Sequence, residues 1–157
     1  MKKTVLSVLL TFASICAFSQ KINYRIGLVS AVPGDSENSK EVISLGSSLI
    51  EANKNVSKKI FATVNLGYLK FKTKDELTFA LIPALVGVKY PLNENVNFGI
   101  SGGVGFYNKK EFGTQDFMFS PFLGVVINRM SIDARYISVV NKENPIKTLA
   151  LVFSYTL

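Results

Sequence analysis

Histidine and tryptophan are absent from this chain of 157 residues, and cysteine occurs once, as Cys16. Without histidine, the chain cannot form a Ser-His hydrolytic pair, an imidazole general base or a His-ligated metal site. A single cysteine supplies neither a disulfide nor a thiolate cluster. A Ser-Lys or carboxylate pair is still chemically possible, but no motif indicates one. We therefore expect a protein that is not an enzyme and needs no cofactor.

A long hydrophobic run is also missing. Although 48% of the residues are hydrophobic, no apolar stretch reaches the roughly 20 residues that a membrane helix needs. Lysine and arginine are scattered rather than clustered, so the net charge of +7 does not indicate nucleic acid as a partner. High hydropathy combined with many alternating segments is instead typical of a membrane β-barrel.

The first residues have the composition of a secretory signal peptide. Two lysines after the initial methionine precede an apolar segment over residues 5–17. Small residues stand at Ala17 and Ser19, where signal cleavage requires them. We therefore predict a signal peptide over 1–19. Its apolar segment is short for the alternative of a membrane anchor or a first buried strand.

Cleavage at this point would leave one domain, residues 20–157, with 16 basic and 11 acidic residues and no cysteine. A lipoprotein modified at Cys16 is the other possibility. It is disfavoured because Ile15 stands where a lipidated cysteine normally follows a small residue.

The clearest strand pattern runs from Val96 to Tyr107. Successive side chains of a strand point to opposite faces. Here one face is almost entirely large and apolar, whereas the other consists mainly of glycine, serine and asparagine. The solvent face of a soluble sheet usually carries lysine, glutamate and threonine instead. A wall that is apolar outside and crowded inside has the composition seen here.

The same alternation predicts about eight strands of about 10 to 13 residues, joined as hairpins. Their predicted ranges are 21–32, 41–51, 59–71, 78–90, 96–107, 117–128, 131–140 and 148–157. In the second strand, the face that contains Ile43 and Leu49 is predicted to point outward, and a turn is predicted over 52–57. Pro83 predicts a bulge, because proline cannot donate a ladder hydrogen bond. The fold class is therefore all-β: an eight-stranded antiparallel up-and-down transmembrane β-barrel with alternating long and short connections.

Three features favour the membrane barrel over a soluble lipocalin-like barrel that would bind an apolar ligand inside. The apolar faces would overfill a small interior, whereas the glycine-rich faces suit a narrow lumen that side chains such as Leu85 and Phe122 fill. Aromatic residues near the strand ends form two predicted girdles. Charges within the strands lie on the glycine-rich faces, where they avoid lipid. These charges are Arg25, Lys89, Asp133 and Arg135.

These features resemble the small bacterial outer-membrane β-barrel family of the OmpA transmembrane-domain and OmpX type. The resemblance covers residues 20–157 and rests on the signal peptide, the eight alternating strands, and a last strand that carries Phe153 and Tyr155. In that family the barrel-assembly machinery reads the final strand. This chain differs in ending with Leu157 rather than an aromatic residue. The resemblance implies location in the bacterial outer membrane but no particular activity.

Two sets of residues are candidate sites. Arg25, Asp133 and Arg135 share the lumen, where Asp133 could bridge the arginines in a buried polar network. The network could serve as a gate, but a space-filling role that holds the barrel shape is favoured. Lys70 and Lys72 lie on the lipid-facing parity, where they could contact lipopolysaccharide phosphates. The alternative for these lysines is that they snorkel at a strand end.

The predicted role is structural or interactive: envelope integrity, adhesion, or a subunit of an envelope assembly. The expected partners are outer-membrane lipid and lipopolysaccharide, together with envelope proteins that bind the outside loops. The loops over 33–40 and 108–116 are the longest outside connections, and exposed loops on a rigid scaffold usually carry binding.

Overall fold

A computed structural model shows the chain as a closed antiparallel β-barrel of eight long strands. It describes residues 22–33, 43–44, 47–57, 59–72, 78–108, 114–140 and 146–157. The strands are β1 (Ile22–Pro33), β2 (Ile43–Ser44), β3 (Ser47–Ser57), β4 (Ile60–Lys72), β5 (Thr78–Pro91), β6 (Val96–Tyr107), β7 (Gln115–Ile127), β8 (Met130–Val140) and β9 (Ile146–Thr156). The two-residue β2 pairs with the end of β4. In these ranges, no helix is long and apolar enough to cross a membrane.

The long strands follow one another around the barrel as antiparallel neighbours, and β1 pairs with β9 to close the wall. This arrangement confirms the predicted up-and-down fold. The predicted signal peptide and most of the two longest predicted loops lie outside the described residues.

The two ends of the barrel differ in their connections. At the end where β1 begins and β9 finishes, here called the terminal end, the connections span only residues 58–59, 92–95 and 128–129. Asn128 takes a positive φ of 57° in the connection over 128–129, a conformation that asparagine tolerates better than most residues. At the opposite end, the loop end, the connections are longer. This alternation of short and long connections is the predicted one.

The prediction of which residues of the second strand face the lumen was wrong for its second half. Ser47 and Leu49 face the lumen and Ile50 faces outward, whereas the apolar pattern placed Leu49 outside. Ser44 pairs with Phe71 and Ser48 pairs with Tyr68, so an advance of four positions in one segment corresponds to only three positions on β4. This one-residue offset exchanges the two faces of the strand.

The predicted turn over 52–57 is also wrong, because β3 continues through these residues. Their composition suits a turn, but Asn53 is a buried lumen residue, only 3% exposed. Polar side chains are tolerated at such positions because the lumen of this barrel is partly polar.

Pro83 does not produce a bulge. The pairing of β4 with β5 is interrupted beside Pro83, but Leu66–Ala84 and Leu69–Leu81 belong to one unchanged register. On its other side, Pro83 stays in register with Gly105 of β6. Because Pro83 has no N–H group, the ladder between β4 and β5 is interrupted beside it. No additional residue is inserted into either strand.

The outer wall carries the apolar parity, which excludes the soluble alternative with that parity as its core. Large apolar residues such as Leu28, Val86 and Leu123 are 55–69% exposed. The exposed lysines Lys59, in the turn before β4, and Lys70, on β4, bracket the apolar row of that strand. At roughly 3.3 Å per residue and a strand tilt of about 40°, they are about 25 to 30 Å apart along the axis, close to the height of a membrane-facing band.

Aromatic side chains lie near both edges of this band, as predicted. The residues near the terminal end are Tyr24, Tyr90, Phe98 and Tyr155, and those nearer the loop end are Tyr68, Phe106 and Tyr136. Tyr90 and Phe98 contact each other, with ring centroids 5.8 Å apart.

The lumen is divided into two unlike halves. The half near the loop end holds a continuous apolar core that includes Phe71, Phe79, Leu81 and Met118, each at most 2% exposed. Stacking of Phe71 on Phe79, with centroids 5.2 Å apart, is part of this core. The half near the terminal end is polar and contains the buried charged residues of the described strands, Arg25, Glu51, Asp133 and Arg135. The lumen therefore contains an apolar core towards the loop end and a charged region towards the terminal end.

Candidate functional site

Arg25, Asp133 and Arg135 lie together in the polar half of the lumen. Asp133 and Arg135 are neighbours on the inward parity of β8, and Arg25 reaches them from β1. Asp133 Oδ2 is 3.5 Å from Arg25 Nη2 and 3.3 Å from Arg135 Nη2. Asp133 thus lies between the two arginines.

Glu51 is the centre of the network, and the sequence analysis missed it. Its Oε1 accepts a hydrogen bond from Arg25 Nη1 at 3.0 Å, and its Oε2 accepts one from Arg135 Nη2 at 2.7 Å. The sequence analysis put Glu51 at the end of the predicted second strand, on the face that it expected to point outward. The signal that could have identified Glu51 is its charge, because an acidic residue within a strand needs a cationic partner. In the structure it pairs with the inward-facing Arg25 of β1.

Lys89 is the third cation of the network. Its Nζ is 3.3 Å from Glu51 Oε1 and 5.8 Å from the centre of the Phe61 ring. The sequence placed Lys89 on the lumen parity but not in this cluster. Its position on β5, which only β4 separates from β3, brings the ammonium group to Glu51.

Uncharged groups complete the shell around the arginines. Ser154 Oγ accepts a hydrogen bond from Arg25 Nη2 at 2.9 Å. Asn65 Oδ1 accepts one from Arg135 Nη1 at 3.4 Å. The Arg135 guanidinium also stacks 4.4 Å above the ring of Phe122, a cation–π arrangement that arginine favours. Each guanidinium is therefore held by both charge and hydrogen-bond geometry.

Glycine at position 124 leaves room for the Asp133 carboxylate. Gly124 and Asp133 are cross-strand partners, and a Cβ atom on Gly124 would overlap Asp133 Oδ1. The small residue is therefore needed so that the carboxylate can lie against the wall.

Four of the five charged residues of the network are almost completely buried. Arg25, Glu51, Asp133 and Arg135 are each at most 5% exposed, and the gap beside them is too small for a water molecule. A buried charge needs partners, since removing one partner of a buried pair costs about 3–5 kcal/mol. Side chains of β1, β3, β5 and β8 are thereby tied together across the lumen.

The second predicted site lies on the outer wall. Lys70 is exposed beyond Tyr68, close to the loop end. Lys72 follows on the same strand, paired with Thr78, but its side chain is outside the described set. The described residues contain no group of three or more acidic or other ligating side chains arranged to hold a metal ion.

Comparison with known proteins identifies the fold alone. Neither a protein-family model nor a curated protein sequence matches the chain. Among solved structures, the outer membrane protein Ail of Yersinia pestis, determined in a phospholipid bilayer nanodisc, superimposes with a TM-score of 0.62 and 14% identity. The match covers 87% of this chain and 100% of Ail.

Two further structures have the same fold. A de novo designed transmembrane β-barrel matches with a TM-score of 0.57 and 13% identity, over 86% of this chain and 95% of its own. The N-terminal β-barrel domain of Pseudomonas aeruginosa OprF matches with a TM-score of 0.53 and 12% identity, over 86% and 97%. The fold is thus that of the small eight-stranded outer-membrane barrels.

Proposed function

We propose that this chain is a non-catalytic barrel of the bacterial outer membrane whose role is structural or interactive and is exerted by its outer wall and loops. The observation that carries the proposal is the filled lumen. A dry apolar core occupies one half, and an ion-paired network occupies the other. With the interior devoted to packing, the surfaces left for function are the wall that faces lipid and the long connections at the loop end.

Two observations support the location. The exposed apolar wall between charged margins has the height of a membrane band, and the aromatic residues lie at its edges. The fold is also shared with outer-membrane barrels. We propose that residues 1–19 are removed as a signal peptide, which leaves the barrel domain to insert with the loop end outside.

In this proposal, Arg25, Asp133 and Arg135 hold the barrel shape together with Glu51. A gate is disfavoured because movement of the network would still leave the apolar core closed above it. The network instead fills the half of the lumen that the apolar core does not reach. Buried ion pairs are directional, so they also favour one strand register over others.

We also propose that Lys70 and Lys72 contact lipopolysaccharide phosphates at the loop-end margin. Lys70 is exposed beside the aromatic Tyr68, where lipid headgroups would lie. Lipopolysaccharide that copurifies with the barrel should decrease in the Lys70→Gln/Lys72→Gln variant. It should not decrease in Lys59→Gln, which alters the opposite margin; an equal decrease in both would contradict a specific contact.

The experiment that tests the proposed role is complementation of a deletion strain. The full chain is compared with a variant in which residues 34–40 and 109–113 are replaced by short glycine-serine turns, after both are shown to shift on an unboiled gel. Restored detergent resistance with the shortened barrel would support a structural role. Restoration only by the full chain would support an interaction role, and failure of the full chain to affect the envelope or cell attachment would contradict both.

A further inference from the structure

A groove lies on the outer wall of the barrel, next to the terminal end. Its volume is about 790 Å³, and ligand pockets typically measure roughly 300–1,000 Å³. The groove crosses β1, β9, β8 and β7, which are consecutive neighbours in the wall. Its apolar side chains point outward, so the groove opens towards the surroundings of the barrel and not towards the lumen.

The first of two rows of side chains in this groove lies nearest the terminal end. Tyr155 of β9 pairs with Ile26 of β1 on one side and with Met130 of β8 on the other. Ile127 of β7, which pairs with Met130, completes the row. The pairing of four neighbouring strands thus places these side chains next to one another across the wall.

The second row lies two residues further into the apolar band. Phe153 of β9 pairs with Leu28 of β1 and with Ile132 of β8. Val125 of β7 pairs with Ile132. All eight side chains of the two rows are at least 43% exposed. The barrel alone therefore leaves a continuous apolar surface uncovered, and such a surface favours an apolar partner.

A cation lies at the edge of the groove. Arg129 is in the turn between β7 and β8 and is one of the lining residues. Its backbone carbonyl accepts a hydrogen bond from Thr156 N at 2.8 Å, which holds this turn against the end of β9. The Arg129 side chain is exposed, and it forms no ion pair with the described part of the chain. Its guanidinium group is therefore available to an anion at the margin of the apolar band.

A cation beside an apolar groove suits an amphiphile that has an anionic head and a hydrocarbon tail. A guanidinium group binds phosphate through paired N–H donors. Tyr155, in the row next to Arg129, is an aromatic residue of the kind that lies at the level of lipid headgroups. Met130 is unbranched and adaptable, so it can pack against a flexible chain. The head and the tail of a phospholipid would thus each meet a matching part of the groove.

A second copy of this barrel is a less suitable occupant. Two copies in one membrane would form a closed dimer about a twofold axis along the membrane normal. That symmetry would place Arg129 of each copy at the same margin of one shared interface. Like charges brought together at an interface oppose association. An anionic lipid supplies the opposite charge instead.

We propose that this groove binds one anionic phospholipid of the leaflet that faces the periplasm, with an acyl chain along Phe153 and Tyr155 and the phosphate on Arg129. The inference rests on the proposed location in the outer membrane, because a loop end outside places Arg129 in the periplasmic leaflet. It is separate from the lipopolysaccharide contact proposed for Lys70 and Lys72, which lie at the opposite margin.

The test is native mass spectrometry of the folded barrel released from lipid nanodiscs. The nanodiscs contain equal amounts of phosphatidylglycerol and phosphatidylcholine with the same acyl chains, so the two lipids differ in the net charge of the headgroup. We expect one retained phosphatidylglycerol per barrel, with roughly tenfold preference over phosphatidylcholine. As the fraction of phosphatidylglycerol rises, NMR shifts of the backbone amides in 128–132 and 153–156 should saturate together.

Two pairs of variants locate the site. Arg129→Gln removes the charge and should abolish most of the preference, whereas Lys59→Gln, at the same end but outside the groove, should leave the preference unchanged. Val125→Trp keeps Arg129 but fills part of the groove, so it should reduce retention of phosphatidylglycerol. Val88→Trp, an outward-facing residue of β5 outside the groove, should not. Tryptophan is common on barrel walls near the membrane interface, so both tryptophan variants are expected to insert.

Several results would overturn the proposal. Equal retention of the two lipids would show that the groove contacts lipid only as a solvent. An equal loss in Arg129→Gln and Lys59→Gln would indicate a general attraction to positive charge, and unchanged retention by Val125→Trp would place the lipid elsewhere. A barrel that fails to insert and shows no heat-dependent gel shift would contradict the proposed location as well. An inserted barrel without the preference would contradict this inference alone.

Discussion

Glu51 and Arg135 are 84 residues apart in the chain, yet Glu51 Oε2 lies 2.7 Å from Arg135 Nη2 inside the barrel. Their strands, β3 and β8, are separated by β1 and β9 along the wall. The contact therefore crosses the lumen rather than linking neighbouring strands. Because both side chains are at most 3% exposed, this pair is protected from the solvent screening that weakens surface ion pairs.

Replacing Glu51 should destabilise the barrel strongly. Glu51→Gln keeps the side-chain shape but leaves Arg25, Lys89 and Arg135 facing Asp133 as the single remaining carboxylate of the network. We expect a loss of about 3–5 kcal/mol in the free energy of unfolding, measured by urea titration in lipid vesicles. The control is Glu94→Gln in an exposed turn; a similar loss in both variants would contradict the central position of Glu51.

Two glycine substitutions on the barrel wall should have opposite consequences. The added methyl group of Gly124→Ala would overlap the Asp133 carboxylate, so we expect a loss of roughly 1–3 kcal/mol from overpacking. In Gly102→Ala the methyl group would face outward, 3.5 Å from the nearest atom, Phe117 Cζ. That variant should be neutral or slightly stabilising. Equal unfolding midpoints would show that Asp133 moves aside without cost.

The loss in free energy of unfolding caused by an arginine on the outer wall should depend on its depth within the apolar band. Val86 and Val56 are exposed to similar extents, 64% and 66%, but Val86 lies within the apolar band and Val56 lies at the terminal end. We expect Val86→Arg to reduce the free energy of unfolding from vesicles by roughly 2–4 kcal/mol and Val56→Arg by about 0–1 kcal/mol. Equal effects would mean that this wall does not face lipid.

Disruption of the ion network should not open a conducting pore. Arg135→Ala removes ion pairs to Glu51 and Asp133, but the apolar core that contains Leu81 and Met118 stays in place above them. We expect the natural chain and the variant to show the same negligible conductance in planar bilayers. A conductance that rises in Arg135→Ala would support the gate interpretation instead.

Much of the fold was predictable because it depends on alternation along single strands. Leu28, Val86 and Leu123 belong to the larger apolar parity of their segments, and all three face outward. The second strand was the exception, since Leu49 and Ile50 are similar in hydropathy. Its inward face is decided by pairing with β4, where the register changes by one residue between β2 and β3. A pattern within one strand contains no information about that offset.

The sequence by itself determined the barrel, its outward face and the inward position of Arg25, Asp133 and Arg135. These properties follow from the two-residue period of a strand and from the cost of placing a charge in lipid. The tertiary structure alone decided that Glu51 joins them, that Lys89 reaches Glu51 as a third cation, and that the lumen has one apolar half and one charged half. Those relationships depend on which strands face one another across the closed wall, and closure joins residues that no local pattern connects.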